Sequence, residues 1–313
     1  MDQLLYVALA GFAASLVDGA LGMGFGPTSS SILLGAGVSP VSTSTTVNLA
    51  KIVTGFSSGA AHWRAGNVDR RLVLRLAGPA AVGAVAGTLI LTRVDAASIR
   101  PLLAGMLLLV GLRLLVRFSA PTSVTATDVD GSDPADQSGW GLRIVAATGG
   151  LSNGLVGAWG PVVTPYLLHQ RVEPRTVVGS VNTAEIVVAL VSAGSLIGAL
   201  GTGGVELPIV LAMLGGGVLA APVSAHVIKF IAPRRLGLAM ASLLLITQTR
   251  ELSLALGWPV GQAMLGAVVL AGAISTATIR IQRQSDAAGG TGHVVSAGEL
   301  SVGVVDHGSK VRR

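Results

Sequence analysis

The sequence predicts an all-α integral membrane protein, multi-pass with about eight to nine spans, built from two homologous repeats that each contain a Gly/Pro-broken helix. Apolar residues make up 51% of the chain and charged residues only 12%, and the mean hydropathy is +0.72. A soluble protein carries about twice that charged fraction. Two stretches rich in glycine and proline interrupt the apolar segments at corresponding places in the two halves.

The first repeat, residues 1–117, begins with one of these breaks. The stretch from Asp18 to Thr28 has the sequence DGALGMGFGPT and lies between the apolar segments Leu4–Val17 and Thr28–Val38. Each segment is too short to cross a bilayer alone, which takes roughly 20 residues. Together with the break they predict a broken helix or a helical hairpin, because irregular backbone at membrane depth survives only where protein covers it or where it lines a cavity. The next spans are 42–62, 72–92 and 99–117.

The middle and the end of the chain differ from the apolar halves. Residues 118–141 contain two prolines, several Ser and Thr residues and four aspartates, which predicts an acidic soluble linker. Residues 284–313 are rich in Gly, Ser and charge without an apolar period, which predicts a disordered C-terminal tail. Between them lies the second repeat with a last span, residues 142–283. Its predicted segments are a broken one at 142–169 and spans at 176–197, 206–226, 235–249 and 259–281.

The two halves align at a single offset of 134 residues. The matching pairs are Gly26 with Gly160, Pro27 with Pro161, Pro40 with Pro174, Asn48 with Asn182 and Lys51 with Glu185. Shared Gly/Ala/Val composition explains glycine matches but not these prolines and asparagines, so we interpret the pattern as an internal repeat. The arginines of the first half fall on both sides of its spans, and the repeats are therefore either parallel or inverted.

Charge and cysteine content exclude several classes of protein. The net charge of +6 comes from residues at the ends of apolar runs, which indicates membrane anchoring rather than a nucleic-acid partner. The chain has no cysteine, so it has no disulfide framework or thiolate metal site. Histidines do not occur in pairs with metal-ligand spacing, and we expect no metal and no cofactor. In the second half the basic residues alternate between span ends, and the positive-inside rule places the C-terminus in the cytoplasm.

Lys51 and Glu185 occupy equivalent positions near the middle of their spans. Burying either charge alone costs several kcal/mol, so such residues pair, face the interior or change protonation. We expect the two side chains to meet if the halves face each other. Two interpretations stay open. In the first, Lys51 attracts an anion while Glu185 pairs with it or takes up a coupling proton; in the second, the pair is structural and holds the halves together.

Hydrogen-bond donors surround these two positions. Asn48 and Asn182 lie one turn earlier on nearly the same helix face, where their amides either donate to an oxyanion or join neighbouring helices. The half-helix N-termini suit a small anion, and Asp18 and Asn153 are candidate helix caps. The glycines also permit close helix packing. The predicted substrate-binding residues are Gly24, Gly26, Thr28, Ser29, Asn48, Lys51, Asn153, Gly160, Thr164, Asn182 and Glu185.

One enzyme motif is present. Residues 150–154 have the sequence GLSNG, which fits the G-x-S-x-G pattern of serine hydrolases. A nucleophile elbow needs a strand–turn–helix context, whereas this pattern lies in an apolar helical segment. The sequence therefore favours a protein that is not an enzyme and has no catalytic residues, with a membrane-embedded hydrolase using Ser152 as a lesser alternative. A non-transporting membrane scaffold is a third class.

These residues together resemble the TauE/SafE family of sulfite exporters and related permeases, over roughly residues 5–281. The resemblance rests on Gly26-Pro27 after the glycine-rich break, on the loop HWRAGNVD at 62–69, and on NTAE at 182–185. It implies a plasma-membrane transporter surrounded by lipid that moves small sulfur-containing anions, such as sulfite or organosulfonates, generally outward. Another small solute and the uptake direction are the alternatives. The family's glycine triplet is replaced here by residues 22–26, GMGFG, which predicts an anion site of different shape.

Overall fold

The computed structural model describes residues 2–21, 23–119, 139–170, 172–201, 205–227 and 233–290, and these residues form helices joined by short connections. The helices are α1 (Asp2–Leu21), α2 (Phe25–Gly35), α3 (Pro40–Arg64), α4 (Arg70–Arg93), α5 (Ala96–Ser119), α6 (Trp140–Val156), α7 (Gly160–His169), α8 (Pro174–Leu200), α9 (Leu207–Val227), α10 (Pro233–Leu256) and α11 (Val260–Gly290). The predicted all-α class is confirmed for these residues.

Local sequence signals explain several helix starts. The Ser39 hydroxyl accepts a hydrogen bond from the Ser42 amide at 3.1 Å, and Pro40 follows as the first residue of α3. Asp69 caps α4 by accepting from the second and third amides of that helix. Asp95 lies before α5, and the hydrogen bond from the Ser98 backbone amide, 2.8 Å long, holds the pKa of that carboxyl below its ordinary value.

The helices are apolar enough for a membrane protein. Among the described residues, three helices have both the length and the hydropathy to cross a bilayer: Arg70–Arg93, Ala96–Ser119 and Pro174–Leu200. Shorter apolar helices cover Gln3–Asp18, Leu207–Ala220 and Val260–Ala273. Together they support a multi-pass membrane fold, and the count of eight to nine spans stays a prediction.

The C-terminal boundary differs from the prediction. Helix α11 continues to Gly290, so residues 284–290 are helical although they were assigned to a disordered tail. A helix that leaves the apolar region needs no apolar period, because extending an existing helix is much easier than starting one, and Gln284, Ala287 and Ala288 are good helix formers. The rest of the predicted tail, 291–313, lies outside the described residues. So does most of the predicted linker, 120–138, whose edges belong to α5 and α6.

Helices of the two halves pack on each other more extensively than on their own neighbours in sequence. The largest interfaces join α1 with α9, α4 with α6, α5 with α10 and α3 with α8. Small residues make these approaches close: Gly83 of α4 lies against the Ala147 carbonyl of α6, and Gly11 of α1 against the Met213 carbonyl of α9. The core is therefore shared between the halves, and neither forms a separate unit.

Two of these pairs join helices that are equivalent at the 134-residue offset, and both run antiparallel. In the first pair, Lys51 of α3 contacts Glu185 of α8, and Ser58, further along α3, contacts Asn182, which is earlier in α8. In the second pair, Arg234 at the start of α10 donates to the Phe118 carbonyl near the end of α5, at 2.9 Å. These directions fix how the two halves are related in space.

Candidate functional site

The two breaks in the chain cross each other inside the protein. Gly26, at the start of α2, lies so close to Gly157 that a Cβ added to Gly26 would overlap the Gly157 carbonyl. Gly157 ends α6 with a φ of 68°, a left-handed conformation that glycine adopts at no steric cost. Gly160, which begins α7, lies in the same way against Met23, because a Cβ added to Gly160 would come within 2.9 Å of the Met23 Cβ. The sequence predicted both breaks; their contact is a property of the tertiary structure.

Lys51 reaches this crossing from the middle of α3, and its side chain is only 4% exposed. Its ammonium donates to Asn153 Oδ1 at 3.0 Å, to the Gly157 carbonyl oxygen, and to Glu185 Oε1 at 2.5 Å. The prediction that Lys51 and Glu185 meet is thus confirmed. An ammonium has three donors, and all three are used.

Glu185 is the less enclosed member of the pair. Its side chain is 24% exposed, and Lys51 is its hydrogen-bond partner. A second carboxylate, Asp18 of α1, lies at the first break, where it accepts from the backbone amides of Gly24 and Phe25. The crossing therefore combines one buried cation with two carboxylates. The resulting local excess of negative charge depends on the protonation of Glu185.

A second group of side chains holds Asn153 in place. Asn153 Nδ2 donates to Asn48 Oδ1 at 2.7 Å and to Ser192 Oγ at 3.0 Å. The Asn48 amide donates in turn to the Ser44 carbonyl at 2.9 Å, and Ser44 Oγ donates to the Gly154 carbonyl at 2.7 Å. This network orients Asn153 Oδ1 toward Lys51. Asn48 acts through Asn153, since its own amide does not contact the lysine.

Asn182 does not join this network. Its Nδ2 contacts Ser58 Oγ at 3.4 Å, toward the C-terminal end of α3. The reason is geometric. Asn48 and Asn182 each precede their charged neighbour by three residues, and because α3 and α8 run antiparallel, they extend to opposite sides of the Lys51–Glu185 pair. Asn48 and Asn182 therefore match in the alignment of the two halves but do not lie close together in the structure.

Three predicted hydroxyl donors are buried without a partner. Thr28 and Ser29 on α2 and Thr164 on α7 are each at most 1% exposed, and none of their hydroxyls makes a hydrogen bond. Leaving a buried hydroxyl unpaired costs about 1–3 kcal/mol. These three groups are the donors near the breaks that remain available to a ligand.

Of the two candidate helix caps predicted from the sequence, Asp18 and Asn153, only Asp18 acts as a cap in the structure. Asp18 Oδ1 accepts from the backbone amides of Gly24 at 2.8 Å and Phe25 at 3.1 Å, which confirms Asp18 as a cap. The predicted Gly24 amide is therefore engaged by an internal carboxylate. Asn153 is not a cap, since its side chain turns toward Lys51 instead, and α7 begins after Trp159 without a side-chain hydrogen bond.

Sequence reasoning missed three participants in the cluster: the Gly157 carbonyl, Ser44 and Ser192. Ser192 follows Glu185 by two helical turns, a spacing that places both on one face of α8. Ser44 precedes Asn48 by one turn, so helical spacing places both side chains on the same face of α3, and their proximity could have been predicted. The Gly157 carbonyl left no signal of its own, because any residue supplies a carbonyl and only the crossing of the breaks directs this one at Lys51.

The context for the serine hydrolase alternative differs from what the motif requires. Ser152 lies inside α6, is 3% exposed, and is followed by helix rather than preceded by a strand and a sharp turn. Across the described parts of the chain, no group of three or more His, Cys, Asp or Glu residues is placed to hold a metal ion.

An all-helical apolar fold, with a buried charge where two broken helices cross, is the arrangement of a multi-pass membrane permease. The chain belongs to the sulfite exporter TauE/SafE family, whose model matches residues 7–250. It is 33% identical over 253 residues to the probable membrane transporter protein YtnM of Bacillus subtilis (strain 168), covering 80% of this chain and 83% of that protein. No solved structure gives a significant match.

Proposed function

We propose that this permease moves small sulfur-containing anions, such as sulfite or organosulfonates, outward across the plasma membrane. The observation that carries the proposal is the position of Lys51, a buried cation where the two breaks cross. A cation at this depth is costly to maintain and is typical of a substrate or ion pathway. The family match supports the sulfur-containing class of substrate.

The donors around Lys51 suit a compact oxyanion. The unpaired hydroxyls of Thr28, Ser29 and Thr164 supply hydrogen bonds of the kind that the several oxygens of sulfite or a sulfonate accept. The N-terminus of α7 adds a partial positive charge that no side chain caps. In this proposal the substrate binds beside Lys51, on the α7 side of the crossing.

The antiparallel pairing of equivalent helices supports inverted repeats. If α3 and α8, and likewise α5 and α10, are repeat equivalents, the axis that relates them lies in the membrane plane, because an axis along the membrane normal would leave them parallel. Inverted repeats around a midplane site are the usual basis of alternating access. Rocking of the two halves about the Lys51 site would expose it to each side in turn.

The distribution of arginines between the two ends of the helix bundle supports an orientation in which the anion enters from the cytoplasm. Asp69 donates its backbone amide to Ser180 Oγ at 2.9 Å, which joins the α3–α4 connection to the start of α8 at one end of the bundle. That end also holds the start of α10, where Arg234 meets the end of α5. Its arginines include Arg64, Arg70, Arg71, Arg175, Arg234 and Arg235, against Arg93, Arg100 and Arg250 at the opposite end.

By the positive-inside rule the first of these ends is cytoplasmic, and the C-terminal side of α11 returns to it. Partly exposed polar side chains continue from Glu185 toward the same end, namely Ser58, Asn182 and Thr183. We take this polar face of α3 and α8 as the path by which an anion enters from the cytoplasm. Such a path gives a cytoplasmic anion access to the site, which the proposed outward direction requires.

The test is flux in proteoliposomes with sulfite, thiosulfate, sulfate and methanesulfonate offered separately. We expect saturable movement of at least one sulfur anion by the wild type. Lys51→Ala leaves the partly buried Glu185 without its cation, so it should abolish flux and lower the free energy of unfolding by about 2–3 kcal/mol.

A double variant separates loss of function from loss of folding. Lys51→Met combined with Glu185→Gln removes both charges, a change that is often neutral for stability, and it should fold without transporting. Arg175→Ala, which removes an exposed arginine, is the matched control and should keep wild-type flux. Normal flux in the folded double variant, or no flux of any anion through the wild type, would overturn the proposal.

A further inference from the structure

We infer that Glu185 is an internal counter-anion that occupies Lys51 when no substrate is bound, and that protonation of Glu185 couples one proton to each transported anion. This inference rests on the proposed function and concerns the same site. It assigns a role to the acidic member of the pair, which the proposed function leaves unexplained.

The first step is that the site is closed to an anion as it stands. The three donors of Lys51 are engaged by Asn153 Oδ1, the Gly157 carbonyl and Glu185 Oε1. A lysine ammonium has no fourth donor. An anion therefore reaches Lys51 only after one of these acceptors has left.

The second step identifies the acceptor that leaves. Asn153 is held by hydrogen bonds to Asn48 and Ser192, and the Gly157 carbonyl belongs to a fixed left-handed turn. Glu185 has no comparable restraint, because its hydrogen bond to Lys51 is the one that it makes among the described residues. It is also partly exposed, and in this inference its exposed side faces the polar path from which a proton is taken up.

The third step concerns the charges. Lys51 of α3 contacts Glu185 directly, and Asp18 of α1 is the carboxylate that lies at the adjoining break. With Glu185 ionised, an incoming anion would share one cation with that carboxylate and face Asp18 as well. Like charges at contact distance repel by several kcal/mol even at an effective dielectric constant near 20. A proton on Glu185 removes the nearer of the two negative charges.

The resulting cycle balances in charge and atoms. Water at the open side gives a proton to the Glu185 carboxylate, the hydrogen bond from Lys51 to that carboxylate breaks, and Lys51 donates to an oxygen of the anion instead. After the halves rock, the anion leaves, Glu185 returns its proton to water on the other side, and Lys51 donates to the carboxylate again. One anion and one proton have moved in the same direction, and no bond within the anion has changed.

Binding of methanesulfonate tests the linkage, since a sulfonate keeps its single charge across the accessible pH range, whereas sulfite itself takes up a proton. If the bound state holds one more proton than the free state, the dissociation constant should rise about tenfold per pH unit above the pKa of Glu185. Glu185→Gln keeps the shape and a hydrogen-bond acceptor for Lys51, and its dissociation constant should be independent of pH. If the protein prefers another sulfur anion, the same titration is made with that anion.

Transport supplies the second measurement. An outward anion gradient in proteoliposomes that contain a pH-sensitive dye should move protons with the anion in the wild type. In Glu185→Gln the anion should still exchange while proton movement is lost. Glu206→Gln is the matched control, because Glu206 is a carboxylate distant from Lys51 that accepts from Ser42 Oγ, and this variant should keep proton coupling.

The outcomes separate the two proposals. Anion flux without proton movement in the wild type, or unchanged proton coupling in Glu185→Gln, overturns the role of Glu185 and leaves the permease standing. The absence of any anion flux or binding in folded wild-type protein overturns the proposed function, and this inference with it.

Discussion

The break between α1 and α2 and the break between α6 and α7 differ in whether a side chain caps the half-helix that follows. At the first, the Asp18 carboxylate accepts two backbone amides and neutralises the start of α2. At the second, no side chain caps α7, and Asn153 is directed at Lys51. The backbone path is shared, because Gly26 packs on Gly157 as Gly160 packs on Met23.

The same asymmetry appears one turn into each half-helix. Ser30 and Thr164 are equivalent at the 134-residue offset. Ser30 Oγ donates to the Val156 carbonyl at 2.6 Å, whereas Thr164 Oγ1 has no partner. At this pair of positions the first break satisfies its hydroxyl and the second does not, although the first break also carries the unpaired hydroxyls of Thr28 and Ser29. The two breaks therefore differ in how the half-helix is capped and in this one hydroxyl, while both contain hydroxyls without a partner.

The largest expected loss of stability comes from adding a side chain at Gly26, and Gly160 of the second break is the comparison. A Cβ at Gly26 would overlap the Gly157 carbonyl and lie 2.9 Å from Lys51 Nζ, so Gly26→Ala should lower the free energy of unfolding by about 3 kcal/mol. At Gly160 the added Cβ would lie 2.9 Å from Met23 Cβ and 3.1 Å from Met23 Cα, a less severe overlap, and Gly160→Ala should cost about 1 kcal/mol. Thermal unfolding in detergent measures both. Equal costs would mean that the breaks are packed alike.

The next largest loss of stability is expected from removing the polar side chain at each break, Asn153 or Asp18. Asn153→Ala leaves Lys51, Asn48 and Ser192 each short of a buried partner, and should cost about 2–3 kcal/mol. Asp18→Ala removes a helix cap and should cost about 1 kcal/mol, while Asp18→Asn retains an acceptor and should cost less. The readout is the shift of the unfolding midpoint. A larger loss at Asp18 than at Asn153 would contradict the central position given to Asn153.

The smallest effect on stability compares the two equivalent hydroxyls. Ser30→Ala removes a buried hydrogen bond and should cost about 1 kcal/mol. Thr164→Val removes a hydroxyl that has no partner, so stability should change by less than about 0.5 kcal/mol, while the apparent affinity for the transported anion falls. Unfolding and flux measured on the same preparations decide this. A destabilised Thr164→Val variant with unchanged affinity would remove Thr164 from the binding site.

Much of the secondary structure follows from the sequence, for local reasons. The predicted span 42–62 corresponds to the helix Pro40–Arg64, and the predicted span 72–92 corresponds to the helix Arg70–Arg93. Both helices begin slightly earlier than predicted because Ser39 and Asp69 cap them. The extension of α11 to Gly290 was not predicted, because no apolar period marks it and an existing helix can continue for a few residues without one. The repeat, the span count and the binding roles of the named residues stay predictions.

Composition and contacts within a few residues account for the apolar, helical character of the chain, for the positions at which its helices break, and for the two charged residues at matching positions. The packing of distant segments adds that Gly157 directs its carbonyl at Lys51, that Asn182 lies apart from Asn48, and that Asp18 rather than a ligand occupies the first helix terminus. These features depend on the direction in which α3 passes α8 and on how two distant breaks meet, and contacts of that kind join residues more than 100 positions apart in the chain.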